Sequence, residues 1–354
     1  MIAAQQPVQR PADARLLVID RHGAITHAPR STLADFLEPG DLVVANDAGT
    51  LPASLHGVHL ASGAPIEVRL AGRASFAHED LRFAAIVFGA GDWRTRTEDR
   101  PLPPPFAHGD RLALGPLVAS VHGTLGHPRL VALKFEGPAD RVWAGIAQHG
   151  RPIQYAYLDR PLALWDVWTP IAALPVAFEP PSAGFALDWK ILRTMRERGA
   201  EFATITLAAG ISSTGDPALD RRLPFDEPYR IPEAAAAAIR RAREVGGRIV
   251  AVGTSVVRGL EHAAARDGGV SAGDALADQH LGPASRLRLV DAVLSGTHEP
   301  GSSHYELLRA FLNEGTLAAA SAALETSGYR THEFGDSMLV EKQVATAGVI
   351  ATAA

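Results

Sequence analysis

Chemistry in this chain concentrates where apolar runs end in glycine, hydroxyls and ionisable groups. Ile249 to Glu261 reads I-V-A-V-G-T-S-V-V-R-G-L-E. Four apolar residues predict a strand buried on both faces of a parallel sheet, and Gly253 breaks it. Thr254 or Ser255 then caps a helix. Unpaired backbone N–H groups and two hydroxyls at such a corner suit a small anionic or polar ligand. Arg258 either brings a fixed cationic fork to the same spot or pairs with Glu261 on its own helix. His298, in Thr-His-Glu-Pro, lies just past another strand end. It is placed for acid–base work near neutral pH, or else is a turn histidine bonded to backbone. Asn46 and Asp47 close a further apolar run, D-L-V-V-A-N, as a ligand edge or as ordinary turn formers.

The elements that must carry these groups fall into two textures. From Met1 to about residue 56, and again from Arg151, strands and helices alternate. Strands are expected at Arg15 to Asp20, Asp41 to Asn46, Glu201 to Leu207, Ile249 to Val252, Leu287 to Leu294 and the closing M-L-V-E. Helices are expected at Thr32 to Leu37, Asp188 to Arg198, Pro232 to Val245, Tyr305 to Asn313 and Thr316 to Thr326. Arg266 to Gly282 reads as a polar link. Residues 57–150 instead show short alternating runs, such as P-I-E-V-R-L and L-V-A-L-K-F, between Gly and Pro clusters. They have helical periodicity only near Asp140 to Ala147. The expected fold is α/β: a parallel-rich sheet domain with helices, residues 1–56 plus 151–354, interrupted by a small antiparallel β-barrel at 57–150.

Bulk properties narrow the function classes. A net charge of −5 over 354 residues argues against bulk electrostatic capture of nucleic acid. The chain has no cysteine, which removes thiolate nucleophiles and cysteine-type zinc sites. Neither a signal-like apolar core near the start nor an apolar run of about 18 residues occurs, so a cytoplasmic protein without membrane attachment is expected. Gly89-Ala90-Gly91 follows a strand, but Arg94 stands where a dinucleotide fingerprint needs glycine and no helix follows, which rejects a nicotinamide cofactor. Arg94, Arg96 and Arg100 are basic residues suited to touch RNA, diluted by Glu98 and Asp99.

Several collinear motifs resemble one family, the S-adenosylmethionine:tRNA ribosyltransferase-isomerases of queuosine biosynthesis. They are A-R-L-L-V at 14–18, P-G-D-L-V-V-A-N at 39–46, L-P-A at 51–53 and I-E-V at 66–68. Further along come P-S-A-G at 181–184, V-G-T-S-V-V-R-G-L-E at 252–261, H-E-P-G-S-S at 298–303 and Y-R-T-H-E-F-G-D-S-M at 329–338. The resemblance implies S-adenosylmethionine as ribosyl donor, with no metal. It also implies an acceptor aminomethyl-deazaguanine at the tRNA wobble position. A base removes a C5′ proton acidified by the sulfonium, adenine and methionine leave, and the sugar is rebuilt as an epoxycyclopentanediol.

The chain departs from the family pattern at identifiable places. Asp47-Ala48-Gly49 replaces Asn-Thr-Arg, and Ser54 replaces the next arginine. Ala186 and Ala208 stand where the family has histidines, and Pro224-Phe225-Asp226-Glu227 replaces Met-His-Ser-Glu while keeping the glutamate. These losses keep open a different, non-tRNA acceptor, or a non-catalytic nucleoside-binding protein, as a monomer or homodimer. With the resemblance, His298, Glu227 and Arg258 are the expected catalytic residues. Asn46, Ser182, Gly184, Gly253, Thr254, Ser255, Gly335 and Asp336 are expected to bind the donor, Asp336 through two ribose hydroxyls. His304 reads as a surface residue opening a helix, and Trp165 and Trp168, three apart, as a core stripe rather than a base-stacking pair.

Overall fold

The structure, a computed structural model, describes residues 1–267 and 269–344. A nine-stranded sheet has the order Gly273–Ala277, Glu227–Ile231, Glu201–Leu207, Leu42–Asn46, Ile249–Val252, Ala292–Gly296, Ser337–Glu341, Arg15–Ile19, Ile25–Pro29. Four neighbours from Glu201–Leu207 to Ala292–Gly296 run parallel, so their carboxyl ends share one edge. The pairing of Glu227–Ile231 with Gly273–Ala277 is antiparallel. The latter strand falls in the stretch expected to be a polar link, of which Gly268 lies outside the described residues.

Period-two geometry explains why the central strands are apolar without interruption. Leu42, Val44, Ile249 and Ala251 pack into one core, beneath the helices Glu233–Glu244 and Thr254–Asp267. Val43, Ala45, Val250 and Val252 pack into a second core on the opposite face, against the helix Trp189–Glu197 and the 3-10 turn Arg30–Phe36. Asp188 caps its helix by accepting from the Ile191 amide at 2.6 Å.

Strands Leu117–His127, Leu130–Phe135, Arg82–Phe88, Pro65–Gly72, Ser54–His59 and Arg111–Leu114 close, in that order, into an antiparallel barrel. Closure removes the unpaired edges that such short strands would otherwise expose. The first barrel strand begins at Ser54, inside the stretch assigned above to the sheet unit. The helix Ala139–His149 lays Val142 and Ile146 against the barrel core. Inside, Glu67 holds Ser54, Arg69 and Arg100. Arg100 is therefore buried and paired rather than offered to RNA. Arg94 and Arg96 are tied to Asp92 and Glu98.

Trp165 and Trp168 do not form a core stripe. Their short helix, Leu164–Val167, lies at the surface, leaving Trp165 79% exposed and Trp168 37% exposed. Asp166 and Val167 between them are the buried residues. Among the described residues no helix is long and apolar enough to cross a membrane.

Candidate active site

A cavity of about 570 Å³ opens beyond the carboxyl ends of the parallel strands, where open α/β sheets bind ligands. Its floor is the corner read from the sequence. Gly253 holds φ at +97°, a left-handed value that side chains disfavour, and the helix Thr254–Asp267 starts immediately after it. Gly253, Thr254 and Ser255 line the cavity, as does Ser182 from the 3-10 turn Ser182–Ala186.

Arg258 also reaches the cavity wall, but its guanidinium is consumed by protein. Nε donates to the Gln279 carbonyl (2.8 Å), Nη1 to the Phe225 carbonyl (2.7 Å) and Glu227 (2.8 Å), and Nη2 to the Ala277 carbonyl (2.9 Å). Its ion pair is with Glu227 rather than Glu261, which instead accepts the amides of Arg288, Leu289 and Val290. Glu227 is no surface residue. It is buried, its Oε1 accepts the Gly210 amide at 2.7 Å, and burial lifts its pKa against the opposing pull of Arg258.

His298 lies on the same cavity, 2.8 Å from the Ser295 hydroxyl. Burial, reinforced by His304 and His332, drives its pKa well below the usual imidazole value, so the ring is neutral at pH 7. His304 is not the exposed helix-start residue expected from the sequence. It packs beside His298 on the cavity, and burial brings its pKa down to about 4.

Four expected donor contacts are not brought to the cavity wall. Asn46 clamps two strand ends, accepting the Ala48 and Leu207 amides and donating to the Leu207 carbonyl. Gly184 sits under Thr169, whose methyl lies 3.0 Å from where a Cβ would stand. At Gly335 a Cβ would come within 2.3 Å of the Arg330 carbonyl, so the glycine permits a close chain crossing. Asp336 is wholly buried. Its carboxylate accepts the Arg15 amide (2.8 Å), the Arg330 amide (2.9 Å) and both guanidinium groups. Each of its two oxygens is thus met by one backbone amide and one guanidinium group.

Sequence reasoning missed a second group of cavity residues. Glu179 follows the strand Leu174–Ala177 and precedes two prolines that fix the local backbone. Its Oε1 accepts from the Tyr155 hydroxyl at 2.5 Å, and its Oε2 accepts the Ser212 amide at 2.9 Å. Tyr157 donates to Glu333 and stacks on His332, ring centroids 4.2 Å apart. His332 itself holds φ at +70°, a left-handed strain for a residue with a side chain. Glu179 stands one residue before the P-P-S-A-G run, and His332 and Glu333 lie within T-H-E-F-G, so motif adjacency was the available signal. Thr331, on the same wall, keeps a buried hydroxyl with no protein partner. Among the described residues no group of three His, Cys, Asp or Glu side chains is placed to hold a metal ion.

The arrangement joins a glycine-hydroxyl corner, neutral imidazoles and buried carboxylates around one space. That suits binding of a polar small molecule with proton transfer beside it. The S-adenosylmethionine:tRNA ribosyltransferase-isomerase of Citrifermentans bemidjiense is 34% identical over 349 residues, covering 96% of each chain. Its namesake from Moorella thermoacetica is 31% identical over 344 residues, covering 95% of each. The solved S-adenosylmethionine tRNA ribosyltransferase of Thermotoga maritima matches with a TM-score of 0.51 at 26% identity, over 96% of each chain. The family model described as Queuosine biosynthesis protein matches residues 1–340, taking in both the sheet and the barrel, and the chain belongs to that family.

Proposed function

We propose that this chain is an S-adenosylmethionine-dependent ribosyltransferase-isomerase that transfers and isomerises the donor's ribosyl group onto a 7-aminomethyl-7-deazaguanine base in tRNA. The observation that carries this reading is the cavity at the parallel strand ends, where Gly253, Thr254, Ser255 and Ser182 meet His298 and Glu179. Relatives that match end to end bear the name of this enzyme. The corner residues bind the donor; the unit built on the nine-stranded sheet holds it while the barrel, which begins at Ser54, presents the acceptor. The sulfonium acidifies the adjacent C5′–H bonds, so a buried base near neutral pKa serves the reaction better than an exposed carboxylate.

Incubation with labelled S-adenosylmethionine and an anticodon stem-loop carrying the deazaguanine base is expected to release adenine and methionine. S-adenosylhomocysteine as the product would overturn the reaction type. A second reading keeps the chemistry but changes the acceptor. It is favoured by Ala186 and Ala208, buried apolar residues at positions where the family pattern has histidine. Binding of the stem-loop across a salt series separates the two, because a tRNA reader loses affinity steeply as salt rises.

A further inference from the structure

We infer that Glu179 is the base that takes the C5′ proton of the donor, with Tyr155 and Glu333 as the positioning residues that set its proton affinity. The inference rests on the reaction proposed above. Four observations converge on this residue.

Glu179 lines the main cavity, although it is 5% exposed as a residue. Each of its oxygens has one protein hydrogen bond, to Tyr155 and to Ser212. A carboxylate oxygen has two lone-pair directions, so both retain one for a proton. Its backbone is fixed between the end of a strand and Pro180-Pro181, which holds the carboxylate without a flexible loop.

The groups facing it set its charge from opposite sides. Burial raises its pKa most, and the neighbouring Glu333 carboxylate adds to this. The bonds from Ser212 and Tyr155 pull it back, leaving it at about 7. Tyr157 holds Glu333 from the far side and stacks on Tyr155, ring centroids 5.9 Å apart. Arg69, in the barrel, lies 5.7 Å above the Tyr155 ring. Two of the four histidines on the wall, His298 and His304, are poorer bases, since burial holds both below the usual imidazole range. Glu227 is already committed to Arg258 and the Gly210 amide.

In the step assigned to Glu179, the C5′–H bond breaks and its electron pair stays on C5′ beside the sulfonium. The proton forms an O–H bond on Glu179, whose negative charge is thereby neutralised, and it passes to bulk water after the products leave.

The test is the pH profile of adenine release, together with the dissociation constant for S-adenosylmethionine, in wild type, E179Q, Y155F and E333Q. Removing the base is expected to slow release by about 10²–10⁴-fold while donor affinity changes less than about threefold. In wild type, kcat/KM should rise with pH through about 7. Y155F removes a bond that lowers the Glu179 pKa, so that limb moves to higher pH; E333Q removes a charge that raises it, so the limb moves lower. A merely structural carboxylate predicts loss of folding with no displaced limb. E179Q within tenfold of wild type, or a limb that moves in neither partner variant, overturns the inference while leaving the reaction standing. A wild-type chain that binds the donor but releases no adenine with any acceptor overturns both.

Discussion

His298 and His304 face one another in the cavity wall with ring centroids 4.6 Å apart, tilted by 50°. Burial depresses both pKa values, and mutual repulsion depresses that of His298 further. In the unfolded chain each titrates near the ordinary value of about 6.5. As pH falls through that value the unfolded state takes up protons that the folded state refuses, so stability drops until the folded pKa is reached. Thermal melts should therefore show a falling midpoint from pH 7 toward pH 4.5. H298N/H304N should flatten much of this slope. An unchanged slope in the double variant would show that other groups drive it.

The Arg258–Glu227 pair is the second relationship with a measurable consequence. Removing the guanidinium in R258M leaves Glu227 buried without its counter-ion, expected to cost about 3–5 kcal/mol in urea denaturation. R258M/E227Q should recover more than half, because the amide still accepts from Gly210 while the stranded charge is gone. Should R258M unfold like wild type yet bind the donor tenfold more weakly, Arg258 would be a ligand contact after all.

Much of this was legible in the chain because it is local. The Val-Gly-Thr-Ser corner needs only a buried strand, a left-handed glycine and a helix start, and neighbours in sequence dictate all three. The barrel was readable from alternation, since every strand has one face inward. Burial contributed by distant elements was not readable. His304 follows two serines and looks like any helix start, yet the fold sets it in the cavity wall beside His298, which comes from a different element. Asp336 was read as a loop carboxylate facing ribose, while its partner Arg15 comes from the opposite end of the chain. Glu179 gave no pattern of its own, as a single carboxylate before two prolines. Trp165 and Trp168 misled because spacing of three marks a helix face without saying which side faces the core.

Gly253 offers a direct test of the corner. An alanine in its left-handed conformation is disfavoured by about 1–2 kcal/mol. The new methyl would also meet the Ala183 Cβ at 3.5 Å, beside Ser182 on the cavity wall. G253A is expected to fold with a lowered melting temperature and to bind S-adenosylmethionine about tenfold more weakly. Calorimetric titration with the donor checks this. Wild-type affinity in a destabilised G253A would confine the glycine to a backbone role.

Asp336 titrates in the opposite sense from the histidines. The amides of Arg330 and Arg15, with both guanidinium groups, hold its pKa below the usual carboxylate range despite burial. A carboxylate of this kind stabilises the fold fully above its unfolded pKa of about 3.9, and the contribution is lost as pH falls through the lower folded value. D336N places an amide nitrogen where an oxygen accepted from a backbone N–H. It should lower stability at pH 7 by about 1.5–3 kcal/mol, as expected for lost hydrogen bonds to a charged group. It should also shed part of the acid sensitivity below pH 4, a window separate from that of His298 and His304. Because the side chain ties the chain's first long strand to the turn before its last, donor affinity in the folded D336N protein should match wild type. A tenfold weaker affinity with an unaltered melting profile would return Asp336 to the ligand.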